Sequence, residues 1–250
     1  MRNLTIKVIY RDDDWFIIDK PYDCRIQNYA NAKDPSGSYI VLNYMLDDVI
    51  HSTEKKNKVE SLLKEQFPDI SKFRNVHQLD YATSGVFVLA LNKKAAAAAS
   101  KLFRDRTVKK TYLALVNGHI KEDEYFIDQP IDDDPNHEFR MAIVPTGKPA
   151  QTKIRVLQRG YYTYKEDKTG IEKTLPVTKV SLSPISGRRH QLRLHLKHIG
   201  HPIVGDFNYE DEYTDTFRMM LHAHQIILPL PDREELKVMA DDPFSELVAY

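Results

Sequence analysis

At the head of the chain Leu4, Ile6, Val8 and Tyr10 alternate with Thr5, Lys7 and Ile9. An acidic turn over Arg11 to Asp14 follows, then Trp15 to Ile18, closed by Pro21. A repeat of two throws successive side chains to opposite faces, so this opening predicts a hairpin. The period then changes. Leu42, Met45, Leu46 and Val49 within Tyr39 to Val49, and Val59, Leu62, Leu63 and Phe67 within Asn57 to Phe67, fall at helical spacing. Pro68 stops the second run, because proline cannot continue a helix. Val86 to Leu91 is apolar without a break between Gly85 and Asn92, which predicts a buried strand. Asn92 then offers an N-cap to a helix over Lys93 to Arg106 with Ala95, Ala99, Leu102 and Phe103 on its inner face. Lys110 to Val116 reads as a strand ending at the turn pair Asn117-Gly118.

Farther on, Asp132 to Pro135 and Pro145 to Pro149 read as loops, and Gln151 to Leu157 and Val177 to Leu182 as strands. The polar stretch Tyr161 to Pro176 between those strands reads as an extended hairpin or an exposed insertion. Ser186-Gly187 opens a helix over Arg188 to Ile199, with Leu192, Leu196 and Ile199 as its inner stripe and Gly200 and Pro202 as its end. Leu221 to Leu228 is a late strand, broken by Pro229 to Pro231. Strands outnumber helices without regular alternation, which predicts an α+β fold with a mixed, mainly antiparallel sheet. No Pro/Gly/Ser-rich linker divides the 250 residues, so one catalytic domain over 1–250 is expected.

Composition narrows the class. With 42% apolar and 29% charged residues, the chain is neither disordered nor fibrous. Basic and acidic side chains balance at 36 each, which argues against a general nucleic-acid coat protein and leaves room for a local basic groove. A lone Cys24 cannot form an internal disulfide or a Cys-based zinc site. No apolar run approaches the roughly 20 residues of a membrane helix, and Met1 to Tyr10 lacks a signal-peptide layout, so a cytoplasmic location is expected.

Two segments carry candidate chemistry. His77-Gln78-Leu79-Asp80-Tyr81-Ala82-Thr83-Ser84-Gly85 sets a carboxylate in a loop just before a buried strand, where it is reachable and held in place. Composition alone favours a turn-capping Asp, since Asp, Thr, Ser and Gly all form turns. In the second segment, Gly187 to His198, a helix would line up Arg189, Arg193 and Lys197 as a cationic ridge beside the leucine stripe. Such a ridge suits phosphates, or one Arg suits a buried carboxylate; a solvated face is the plainer alternative. No acidic residue lies between Gly187 and Gly205, so pairing within the helix does not explain the charge.

Taken in order, His77 to Gly85, Lys110-Thr111-Tyr112, Gly187 to Arg193 and Gly200-His201-Pro202-Ile203-Val204-Gly205-Asp206 closely resemble the RluA family of pseudouridine synthases, as does the opening Val8 to Pro21. The resemblance runs across nearly the whole chain, and is to members without an N-terminal S4 RNA-binding domain. It implies the pseudouridine synthase fold and the isomerisation of a uridine within RNA: the N1 to C1′ bond breaks, the uracil turns, and C5 joins C1′. It also implies no cofactor and no metal, RNA (tRNA or rRNA) as partner, no membrane, and a monomer. Asp80 matches the essential aspartate, Tyr112 the active-site tyrosine and Arg193 the basic partner of the aspartate. His77, Gln78, Leu79, Thr83, Lys110, Arg188, Arg189, His190, Gln191 and Leu192 would line the substrate site.

Physical chemistry agrees with those roles. A base inside structured RNA is unreachable unless its nucleotide swings out into a pocket, where the Tyr112 ring can stack on it and the hydroxyl can relay the proton from C5. Asp80 must be ionised to act as nucleophile at C1′ or base at C2′; burial opposes that charge and an adjacent guanidinium restores it. Gln78 departs from the family, where Arg often stands and helps displace the flipped base; Gln can hydrogen-bond but brings no charge to phosphate. Lys93, Lys94, Lys101, Arg104, Arg106, Lys109 and Lys110, with Arg188, Arg189 and Lys197, are expected to make a positive cleft, balanced by acid at Asp132 to Asp134 and Asp211 to Asp215. One alternative is an RNA-binding protein that has lost catalysis. Another is a metal hydrolase using His190, His195, His198, His201, His222 and His224, for which the spacing is wrong and the nearby cations are repulsive.

Overall fold

The computed structural model describes residues 5–26, 58–138, 140–166, 168–212, 214–230 and 233–246. The opening hairpin forms as the alternation predicts: β1 (Lys7–Arg11) pairs antiparallel with β2 (Trp15–Lys20). The helix expected over 39–49 lies outside the described residues. Next come α1 (Val59–Gln66), β3 (Arg74–Asn75), β4 (Ser84–Ala90) and α2 (Lys93–Arg104). β4 is buried along its whole length. Phe16, Ile18, Phe87 and Leu89 pack against Val59 and Leu63 of α1 on one face, while Trp15, Ile17, Val86 and Val88 pack against Ala95 and Ala99 of α2 on the other. A strand covered on both faces has no polar side to show, which is why Val86 to Leu91 reads as an unbroken apolar run. Asn92 caps α2 by accepting from the Ala95 N–H at 2.9 Å. The helix stops short of the expected Arg106, whose φ of 56° is left-handed.

β5 (Lys109–Asn117), β6 (Glu124–Asp128), β7 (Ile131–Asp133), β8 (Met141–Ile143), β9 (Gln151–Lys165), β10 (Glu172–Pro184), α3 (Gln191–His198), β11 (Leu221–Leu228) and β12 (Leu236–Met239) complete the chain order. Among the described residues a 10-stranded sheet runs β1-β2-β4-β11-β5-β10-β9-β6, with β12 beside β11 and β3 beside β4. Its pairs are antiparallel except β4 with β11. The result is the mixed, mainly antiparallel α+β architecture that the pattern predicts. β9 and β10 form one long hairpin in which Tyr161 to Pro176 is the far end, the extended-hairpin reading of that stretch.

Two expectations are corrected. Asp132 and Asp133 belong to β7, paired with Ala142 and Met141 of β8 in a ribbon separate from the main sheet. A three-residue strand with two acidic positions shows no period, so it passes for a loop. The other is α3, which starts at Gln191, not Arg188. Gln191 Oε1 accepts from the Arg188 N–H and the Ser186 hydroxyl, and His190 takes a left-handed φ of 54°; together these hold 186–190 in a turn.

The site rests on the middle of the sheet. Tyr112 of β5 is opposite Ala223 of β11, which is opposite Gly85 of β4. Gly85 has a φ of 108°, and a Cβ there would lie 2.2 Å from the Ala223 carbonyl oxygen. Only glycine permits this approach, and the approach brings the loop ahead of β4 alongside Tyr112.

Candidate active site

Asp80 lies in the loop that feeds β4, and its carbonyl accepts from the Thr83 N–H at 3.2 Å. The loop is tied down from below. Lys20, fully buried at the end of β2, donates from Nζ to the carbonyls of Pro21, Tyr81 and Thr83 at 2.9, 2.9 and 2.8 Å. Burial pushes the Lys20 ammonium down to about 8.

Arg193 rises from the first turn of α3 and is 6% exposed. Its Nη1 lies 3.5 Å from Asp80 Oδ2, and the Asp80 side chain keeps 27% of its surface open. The tighter partner is Asp206, fully buried, which accepts from Nε at 2.7 Å and Nη2 at 2.6 Å. Burial opposes the guanidinium charge, but the charge and hydrogen bonds of Asp206, with Asp80 added, push its pKa up on balance. The Arg193 guanidinium also lies over the Tyr209 ring, 4.8 Å from its centre. Tyr112 makes no side-chain hydrogen bond among the described residues. Burial, then the charge of Asp80, raises the pKa of its hydroxyl.

Asp80, Tyr112 and Arg193 border one cleft of about 1310 Å³, and so does each residue expected to line the substrate site. Several of those residues turn their polar atoms to the protein rather than to the opening. His77 accepts the Val88 N–H at Nε2 and stacks on Phe103 with ring centres 4.9 Å apart; burial and Lys110 hold it neutral, near 3. His190 Nδ1 lies 2.7 Å from the Tyr209 hydroxyl, and burial with Arg193 and Arg189 holds its pKa low. Gln191 donates to the Gln151 carbonyl and the Thr152 hydroxyl, and Thr83 is buried. Leu79 and Leu192 supply apolar wall. Gln78 is exposed at the cleft, and Lys110, its charge disfavoured by burial, stands where a Cβ on Gly187 would be 3.5 Å from its Nζ.

The model of the RNA pseudouridylate synthase family matches residues 14–198. RNA pseudouridylate synthase domain-containing protein 1 of Danio rerio is 41% identical over 225 residues, 84% of this chain and 73% of that protein. The dual-specificity RNA pseudouridine synthase RluA of Yersinia pestis is 41% identical over 182 residues, 72% of this chain and 81% of that protein. Human RNA pseudouridylate synthase domain containing 1 superimposes with a TM-score of 0.75 at 34% identity, covering 96% of this chain and 84% of that one.

The chain belongs to the RNA pseudouridylate synthase family. It is an isomerase of uridine in RNA, with the fold of its RluA-type relatives. The synthase departs from two of the charge expectations. No Arg189, Arg193 and Lys197 ridge forms: Arg189 precedes α3, Arg193 is internal, and Lys197 pairs with Asp211 at 2.8 Å. Among the described residues, Lys93, Lys94, Lys101 and Lys109 do not border the cleft, and Lys101 pairs with Asp105 at 3.0 Å. The cations that do border it, among the described residues, include Arg104, Arg106 and Lys110 from the expected set, Arg188 and Arg189, and also Arg25, Lys168 and Arg218; Asp215, expected elsewhere, borders it too, as does Asp23. The sequence reading gave Asp206 and Lys20 no role of their own; both stand in stretches that carried the resemblance, and that was their only signal. No helix among the described residues is long and apolar enough to cross a membrane.

Proposed function

We propose that this synthase isomerises a uridine of a structured tRNA or rRNA in the cytoplasm, taking the nucleotide out of its stack into the cleft and acting on its sugar through Asp80. The observation that carries the reading is the Asp80 carboxylate, open to the cleft beside the buried Arg193 guanidinium. Asp80 adds to C1′ or takes the C2′ proton, and the N1 to C1′ bond breaks. The uracil, held in the pocket, turns and bonds through C5; the C5 proton leaves and N1 gains one, so nothing is consumed. Water has to be kept out, because a free sugar cation would be hydrolysed, and Leu79 and Leu192 suit that purpose. Tyr112 stacks on the uracil and relays the C5 proton.

A cleft of this volume is larger than a drug-sized pocket of at most about 1,000 Å³. It suits a nucleotide together with its neighbours. Phe207 and Phe217, half-exposed at its border, offer faces for flanking bases, and the arginines there suit phosphates. The test is to map pseudouridine in total RNA from cells with the gene, without it, and with Asp80→Ala in its place. A site lost in both the deletion and the Asp80→Ala strain names the substrate. Restoration of that site by Asp80→Ala sinks the assignment.

A further inference from the structure

Arg193 serves two carboxylates unequally. Asp206 takes Nε and Nη2 together in a two-pronged pair, while Asp80 has only Nη1, at 3.5 Å, longer than a hydrogen bond. The unequal split is built in. Asp206 is fully buried, its carbonyl accepts from the N–H groups of Tyr209 and Glu210, and its Oδ1 also accepts from the Asn208 N–H at 3.1 Å. Gly205 just before it has a φ of 76° and lies so close to the Arg218 carbonyl and the Thr216 hydroxyl that a Cβ would be 2.5 Å from each. The Tyr209 ring blocks one face of the guanidinium. A planar fork held on one edge and one face cannot rotate to present that edge to anything else.

We propose that Asp206 is a positioning residue for the reaction: by occupying the two-donor edge of Arg193 it denies that edge to Asp80 and leaves Asp80 a loosely paired, reactive carboxylate. This rests on Asp80 being the group that acts on the sugar. A carboxylate locked by two short charge-assisted bonds to a guanidinium is a weak nucleophile and a weak base, because its lone pairs are engaged. With Asp206 present, one guanidinium faces two carboxylates, so the three groups together keep one negative charge and it falls on the member open to the cleft. Without the Asp206 charge, Arg193 turns its full fork to Asp80.

Loss of hydrogen from C5 supplies the assay. Total RNA labelled with [5-³H]uridine in cells lacking the gene releases tritium once per conversion under single-turnover conditions. Asp206→Asn is expected to lower that rate at least tenfold, with the RNA concentration at half-saturation within threefold of wild type and a cooperative melt. Arg193→Lys has no two-donor edge with which to lock Asp80, so it removes the capture that Asp206 guards against. In that background Asp206→Asn should change the rate less than threefold, because the edge it would release is gone. A wild-type rate in Asp206→Asn, or a loss confined to half-saturation, overturns the proposal. If Asp206→Asn does not fold, Asp206→Ser, which also removes the charge, decides, and a wild-type rate there overturns the proposal. Activity surviving in Asp80→Ala would sink the reading of Asp80 itself; an inactive Asp80→Ala beside an unimpaired Asp206→Asn sinks only the role of Asp206.

Discussion

Tyr112 keeps its proton at neutral pH, because burial and the nearby Asp80 charge both disfavour the phenolate. A protonated hydroxyl at the cleft is a donor, and the ring around it is a stacking face. Tyr112→Phe separates the two. If the hydroxyl relays the C5 proton, the variant should bind RNA as wild type does and turn over about 10²- to 10⁴-fold more slowly in the tritium-release assay. Equal rates would leave Tyr112 with stacking alone. At this scale the sequence displays which side chains are chemically able and not what they are bonded to. Arg193 was legible as a partner for Asp80, yet its shorter bonds go to Asp206, a pairing made by the loop that follows α3. His77 and His190 border the cleft, but Nε2 of the first is engaged by the Val88 N–H and Nδ1 of the second by the Tyr209 hydroxyl, which no spacing could foretell.

Among elements, the parallel contact of β4 with β11 decides where the chemistry sits. Its tightest point is Gly85 against Ala223, with Tyr112 next in the same row. Gly85→Ala puts a Cβ at 2.2 Å from a carbonyl oxygen and forces a side chain into a φ of 108°. The strands have to part, and a cost above about 3 kcal/mol is expected, beyond ordinary overpacking. Thermal melting should show a drop of ten degrees or more, or the protein should be insoluble; a drop of only a degree or two would mean that the β4–β11 contact is slack. Elements with strong local signals were legible: the opening hairpin, the apolar β4, and the Asn92-capped α2. β3, β6, β7, β8 and β12 were not read as strands, because segments of two to five residues are too short to display a period and take their form from the strand beside them. α3 was read too long, because the turn before it is fixed by the Gln191 side chain rather than by a glycine or proline.

At the scale of the molecule, burial lowers the pKa of five histidines among the described residues, His77, His190, His195, His222 and His224, three of them far enough to matter most. Burial pushes His77 and His222 each down to about 3, and His190 moves the same way. In the unfolded chain such imidazoles take up protons near pH 6.5. Below that pH the unfolded state binds protons that the fold refuses, so stability is complete above 6.5 and declines as the pH falls toward 3. At one unit below 6.5 each histidine costs about 1.4 kcal/mol. The melting temperature should therefore fall steadily from pH 6.5 to 5. His77→Gln, whose amide oxygen still accepts from Val88, should flatten the decline; an unchanged slope would show that His77 is protonated in the fold after all. The sequence alone determined the α+β class and the covered central strand, because periodicity and caps are written along the chain, and motif order, through the family resemblance, picked out Asp80, Tyr112 and Arg193, which border one cleft. The tertiary structure alone decided that Lys20 holds the Asp80 loop and that the Arg193 fork belongs to Asp206. The Lys20 bonds to Tyr81 and Thr83 span 61 and 63 positions and the Arg193–Asp206 pair 13, and a hydrogen bond depends on ångström-scale distance and direction, which linear order does not contain.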